Sequence, residues 1–260
     1  MIAISRNSWS LAIRTVFFAA EPETSDERAD VIGCIQSRRA DEGFEVVPTR
    51  HIDLTQDVAR LFSGLGKSTK NQVNRAEKHD ALGCTAAAQP SDDDILRFRD
   101  FYNVFARAKG TTLCRRYQVE TMKLLARQNG LAISRVTDSL GQALCYHVYV
   151  TDGTRAMLLY SGSHFRSIQD QDERKRLARA NRLLHWKDIL YFKQSGFAIY
   201  DFGGLTDDPG IAEFKRSFGG RDVAEYTGYV PVTWKGRVAA RYRGLLCSVR
   251  RHLFSPPEMR

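Results

Sequence analysis

The chain has 260 residues, 43% of them hydrophobic and 27% charged, which fits one large globular domain or one domain plus a partial second. No apolar run nears the roughly 18 residues that span a bilayer, the apolar stretch Thr15–Ala20 is short and Arg14 interrupts the residues before it, so neither a membrane helix nor a secretory leader is expected. The formal net charge of +9 calls for anionic partners, and residues 234–260 concentrate it: Lys235, Arg237, Arg241, Arg243, Arg250, Arg251 and Arg260 face only Glu258.

Short runs at Ile13–Phe18, Asp30–Ile35 and Gly43–Val47 predict three strands separated by charged turns. Residues 57–80 read as helical, with a basic second helix from Ser68 to Lys78 that presents Lys70, Arg75 and Lys78 just after Lys67. After a weak strand at Gly83–Ala88, Ser91-Asp92-Asp93-Asp94 marks a helix start, because a serine cap and an acidic first turn satisfy free N–H groups and the helix dipole. Ile95, Phe98, Phe101, Tyr102 and Phe105 then recur at helical spacing, and a second helix covers Tyr117–Gln128. An antiparallel meander follows at Leu131–Val136, Gln142–Val150 and Arg155–Ser163, its second turn made by Asp152-Gly153. A long helix spans Gln171–Gln194, with Leu183, Trp186 and Leu190 on its apolar stripe. A buried strand at Phe197–Phe202, a short helix at Gly210–Ser217 and a last strand at residues 223–232 complete a mixed α/β sheet. The tail repeats Val238, Tyr242, Leu245, Val249 and Leu253 at helical spacing with arginines between, the pattern of a basic amphipathic helix. Five scattered cysteines (Cys34, Cys84, Cys114, Cys145 and Cys247) offer no Cys-x-x-Cys pair and no Cys/His ligand spacing, so no metal and no disulfide framework is expected, and a reduced, cytoplasmic setting is.

Three segments carry a family likeness: KSTKNQVNRAEK at 67–78; YSGSHFR at 160–166 followed by ARANRLLHWKDILYFKQSGFAIYDFGGL at 178–205; and GIAEFKRSFGG at 210–220. Together with the order of elements, they resemble the FemABX branch of the GNAT acyltransferase fold and the related acetyltransferase domain described for cellulose biosynthesis. The resemblance implies a GNAT-like, mostly antiparallel central sheet flanked by helices over residues 83–232. Residues 1–82 would then hold N-terminal strands and a basic helical hairpin, a truncated relic of a second GNAT-like half, and residues 233–260 the basic tail. It further implies transfer of an acyl or aminoacyl group onto an amine, a cell-envelope precursor of peptidoglycan type among the acceptors. The donor would be aminoacyl-tRNA or an acyl thioester such as acyl-CoA, with no tightly bound cofactor.

Such chemistry needs a deprotonated nucleophile, a stabilised oxyanion and a proton route to the leaving group. In this fold the long helix starts near the donor's phosphates. Arg174, Lys175, Arg176, Arg179 and Arg182, with Asn181 beside them, are candidates for that contact, although Lys175-Arg176-Leu177-Ala178-Arg179-Ala180 is a degenerate version of the usual glycine-bearing CoA loop. Lys215 is the leading candidate for the oxyanion or a donor phosphate, with Phe214 stacking on a base or filling core. Asp201, at the end of an apolar strand, either orients Lys215, accepts an amine proton or caps the Gly203-Gly204 turn, where backbone lies close to substrate. Tyr160 and His164 are candidate proton donors to the leaving group, with Ser163 near the acyl group; His147, mid-strand, reads as a satisfied core histidine. The basic surfaces suit tRNA, an anionic precursor or the inner membrane face. They also leave open a catalytically silent GNAT-like module that binds RNA or anionic membrane.

Overall fold

The computed structural model describes residues 1–8, 10–206 and 208–241. Among these, the chain divides into two compact units, residues 1–49 with 222–241 and residues 50–221. Residues 50–82, grouped by the sequence with the N-terminal strands, thus belong to the same unit as residues 83–221.

The first unit contains β1 (Ile2–Ser8), β2 (Leu11–Phe17), β3 (Val31–Ser37), the start of β4 (Glu45–Asp53), most of β10 (Arg221–Pro231) and α7 (Trp234–Arg241). β1 and β2 form an antiparallel hairpin, β3 runs parallel to β2, and β10 runs antiparallel to β3. Val16, Ala19, Ala29, Ile32 and Cys34 make its core. The sequence did not announce β1, because Ile4 is the one residue it buries. β4 runs well past Val47 because buried Thr49 and His51 continue its inward face with polar side chains that break the apolar pattern. The predicted tail helix is described only as far as Arg241; Tyr242, Leu245, Val249, Leu253, Arg243, Arg250, Arg251 and Arg260 lie outside the described residues.

In the second unit, α1 (Val58–Ser63) and α2 (Lys67–His79) precede β5 (Gly83–Ala87), α3 (Asp92–Lys109) and α4 (Arg116–Ala126). The meander β6 (Leu131–Thr137), β7 (Ala143–Thr151) and β8 (Arg155–Ser163) leads through a 3₁₀ turn at His164–Ser167 into α5 (Gln171–Gln194). β9 (Ile199–Gly204) and α6 (Pro209–Arg216) follow. Its strands are ordered β4-β9-β8-β7-β6-β5, with β8 and β9 parallel and the meander antiparallel. α3 starts on a full capping box, Ser91 and Asp94 bonding each other's backbone N–H, and ends on Gly110 in the left-handed region.

Side chains alternate across β7 and so assign the helices to faces. Cys145 packs with Ala180 and Leu184 of α5, and Tyr149 meets Phe192 of the same helix. Tyr146 turns the other way, against Phe98 and Phe101 of α3. Leu183, Trp186, Ile189 and Phe192 of α5 join Leu61, Val73, Tyr200 and Phe218 in the main core, where the Phe62 edge meets Trp186 at 5.3 Å. No described helix is long and apolar enough to cross a membrane.

Candidate active site

β8 and β9 pair only through Arg155↔Ile199, Ala156↔Tyr200 and Met157↔Asp201. β8 continues to Ser163 and β9 to Gly204, so their shared ladder stops at Met157 and Asp201, and the strand ends beyond it frame the candidate cleft. A register shift sharpens the parting: Tyr149 faces Leu158 and Val148 faces Tyr160, which leaves Leu159 as an extra residue in β8. Gly203 sits on the lip at φ +68, where a Cβ would lie 2.6 Å from the Leu158 carbonyl oxygen. No side chain fits that approach. Backbone groups released where a ladder ends are the preorganised dipoles that a developing oxyanion requires.

α6 brings Lys215 to this lip. Asp208 caps the helix by accepting from the N–H groups of Gly210 and Ile211, and Pro209 occupies the first turn, where its missing N–H costs nothing. Lys215 Nζ donates to the carbonyl of Gly204 at 2.6 Å. Burial pushes its pKa down to about 8, against the opposing pull of Asp201. Arg182 on α5 lies alongside. Its guanidinium stands 4.9 Å above the ring of Phe214, and its NH1 donates weakly to Ala178 O at 3.5 Å. Nε has no hydrogen-bond partner, no carboxylate pairs with Arg182 among the described residues, and burial lowers its pKa too. Two desolvated cations without a dedicated carboxylate mark a place for negative charge. Phe214 has one face under Arg182 and contacts Phe218 and His185 at 5.3 and 5.4 Å, so it serves as core rather than as a platform for a base.

Asp201 is committed elsewhere. Fully buried, it receives Arg155 Nε at 3.0 Å and a second, shorter guanidinium contact, while its Oδ1 accepts the Gly203 N–H at 2.9 Å. His51 Nε2 approaches it at 3.7 Å. Of the roles the sequence offered Asp201, the contact recorded is the cap of the Gly203-Gly204 turn, through which it shapes the lip. Arg155, which makes the pair, carried no sequence signal beyond its place at a strand start.

The basic residues predicted to contact phosphates lie along the N-terminal half of α5. The start of α5 is acidic: Asp170 caps it by accepting from Glu173 N, and Asp172 and Glu173 fill the first turn. Lys175 pairs with Asp172 at 3.0 Å and Arg176 with Glu173 at 3.1 Å. Arg179 makes a two-pronged contact with Asp80 at 2.7 and 2.8 Å, fastening α5 to the end of α2. Arg182, two turns in, is the basic residue of this run that stays at the opening.

Tyr160 turns to the α3 face, where it packs on Phe98 and Tyr102 at 5.5 and 5.1 Å. Its hydroxyl has no partner among the described residues, and burial drives its pKa well up. Ser163 ends β8 opposite Cys145, on the α5 side. His164 begins the 3₁₀ turn, stacks on Phe101 at 4.0 Å and places Nε2 3.3 Å from the Phe101 carbonyl of α3. Asn181 reaches inward instead, its amide 3.0 Å from His147 Nε2.

That contact belongs to a buried array the sequence did not reveal. His147 Nδ1 lies 2.7 Å from Asp188 Oδ2, Tyr149 OH donates to the same oxygen at 2.6 Å, Tyr149 and Tyr200 hydroxyls meet at 2.9 Å, and His185 Nδ1 lies 2.8 Å from Tyr200 OH. His147 is satisfied at both nitrogens. The available signal was Asp188, a charge three residues after His185 on the apolar stripe of a long helix. A separate cavity of about 560 Å³, lined by His51, Asp53, Gln56, Ile199 and Arg221, opens beside the start of β9, at the far end of that strand from Lys215.

No protein-family model matches the sequence, and no curated protein matches it. Solved structures do. The crystal structure of FemX is 12% identical, with TM-score 0.58, over 83% of this chain and 75% of that one. The C-terminal domain of a putative lysylphosphatidylglycerol synthetase from Agrobacterium fabrum is 12% identical, with TM-score 0.54, over 90% and 82%. L-PGS from Bacillus licheniformis is 12% identical, with TM-score 0.52, over 85% and 74%. Such identities speak to the fold alone, and on that ground the chain has a FemABX/GNAT-like fold.

Proposed function

We propose that the protein is an acyltransferase that moves an aminoacyl or acyl group from an activated donor to an amine. The parting of β8 and β9 carries this reading, because Lys215 is held at the lip with its ammonium desolvated. A neutral amine attacks the donor's carbonyl carbon, the carbonyl oxygen becomes an oxyanion, and the Lys215 ammonium with nearby backbone dipoles stabilises it. Collapse of the adduct expels the leaving oxygen or sulfur, which takes a proton. Arg182 adds a second positive charge at the opening.

Aminoacyl-tRNA is the donor this arrangement favours. The acidic start of α5 disfavours the pyrophosphate of CoA, whereas exposed Lys67, Arg75 and Lys78 on α2 offer a basic strip to a longer polyanion. The acceptor is an amine on a cell-envelope precursor, in keeping with the FemABX resemblance. Incubation with labelled aminoacyl-tRNA or acyl-CoA and a panel of amines tests both parts, with and without ribonuclease. A separate arm offers phosphatidylglycerol, a hydroxyl acceptor, because the name of one similar structure contains lysylphosphatidylglycerol. Ribonuclease-sensitive transfer is expected. Transfer from acyl-CoA alone would overturn the donor assignment, and RNA or vesicle binding without transfer would leave a binding module.

A further inference from the structure

Tyr149 and Tyr200 are fully buried, and phenylalanine would fill the same space without a hydroxyl to satisfy. Their hydroxyls instead continue a single row. His185 Nδ1, Tyr200 OH, Tyr149 OH and Asp188 Oδ2 follow one another at 2.8, 2.9 and 2.6 Å. Asp188 is an acceptor, so Tyr149 donates to it, Tyr200 donates to Tyr149, and His185 donates from Nδ1 to Tyr200. Every donor points towards the carboxylate. His147 Nδ1 fixes the far end on the same oxygen at 2.7 Å.

The near end has no hydrogen-bond partner among the described residues. With Nδ1 engaged, neutral His185 carries its lone pair on that atom, Nε2, although the residue is 1% exposed. Its surroundings include the residues that frame the candidate cleft. Phe202 and Phe214 lie 5.1 and 5.4 Å from its ring, and the charges of Lys215 and Arg182 act on it. The charged and titratable groups around the row are Lys215 from α6, Arg182 and Asp188 from α5, His147 from β7, and Asp201 from β9.

Resting on the transfer reaction proposed above, we propose that His185, Tyr200, Tyr149 and Asp188 form a proton relay that takes a proton from the attacking amine and returns it to the leaving group. The amine N–H breaks as its proton moves to His185 Nε2. The Nδ1 proton passes to the Tyr200 oxygen, the Tyr200 proton to the Tyr149 oxygen, and the Tyr149 proton to Asp188 Oδ2. His185 ends neutral as the Nε2–H tautomer, and the net change is one O–H bond formed at Asp188. Run backwards, the same steps deliver the proton from Nε2 to the leaving oxygen or sulfur. Burial holds the imidazole pKa well below its ordinary value, which would spoil a free base; a relay passes one proton as it accepts another and never stores the imidazolium.

The test joins a tautomer measurement to kinetics on the full-length protein. Nitrogen-15 NMR of histidine-labelled protein is expected to show His185 as the neutral Nδ1–H tautomer from about pH 5.5 to 8.5, a preference that Tyr200→Phe weakens. Tyr200→Phe and Tyr149→Phe are expected to lower kcat about 100-fold while KM stays near wild type and the unfolding midpoint falls only as far as the stranded partners require. A His185 found as the Nε2–H tautomer or as imidazolium overturns the proposal. So does a Tyr200→Phe variant with undiminished kcat. If the wild-type protein transfers from no donor, the transfer reading and the relay fall together, whereas wild-type transfer with an unimpaired Tyr200→Phe variant removes the relay alone.

Discussion

Lys215→Met should make the protein more stable at neutral pH while removing its chemistry. Burial lowers the Lys215 pKa from 10.5 to about 8, so the unfolded chain holds the proton more tightly than the folded one. At pH 7 both forms are protonated, and keeping the charge in the fold costs about 3 kcal/mol. Methionine keeps the volume and removes that cost. It also strands the Gly204 carbonyl that Nζ now satisfies at 2.6 Å, a loss of about 1–2 kcal/mol. The net expectation at pH 7 is a gain of about 1–2 kcal/mol in urea unfolding. The sign of the pH dependence follows from the depressed value. Between pH 8 and 10.5 the unfolded state binds more protons, so wild-type stability rises with pH relative to the variant, and the methionine advantage shrinks by about 2 kcal/mol between pH 7 and 9.5. A difference between the two proteins that is independent of pH would refute the claim that Lys215 carries a desolvated charge.

Arg155→Met leaves fully buried Asp201 without its guanidinium and should destabilise by about 3–5 kcal/mol, read from the denaturant midpoint. Replacement of a surface pair such as Lys175 with Asp172 should cost under about 1 kcal/mol in the same assay. Gly203→Ala forces a Cβ against the Leu158 carbonyl at φ +68, so a loss of at least about 2 kcal/mol is expected, together with reduced transfer as the lip shifts. An alanine variant of wild-type stability would show that the lip is not tight.

Elements with a regular apolar period were legible. α5 occupies the predicted Gln171–Gln194, and β8 the predicted Arg155–Ser163, because long periodic burial and a tight Asp-Gly turn leave little freedom. β1 was not legible, since an edge strand with one buried residue has almost no pattern. Lys215 was legible from its motif, but its contact with Gly204 needs the tertiary turn between β9 and α6. Asp170, Asp172 and Glu173 were in plain view as helix-start acids, and Asp172 and Glu173 pair with Lys175 and Arg176. The His147–Asp188–Tyr149–Tyr200–His185 array was invisible for a different reason. Its members come from three elements, and each alone reads as a core residue with a polar edge.

The most direct test is single-turnover transfer of a labelled aminoacyl group to an amine, measured from pH 6 to 9.5 for the wild-type protein and Lys215→Met. The wild-type rate should fall as pH rises through about 8, where the Lys215 ammonium is lost. The methionine variant should be slower by about 100-fold or more and lack that fall. Equal rates in the two proteins across this range would contradict the account of the cleft.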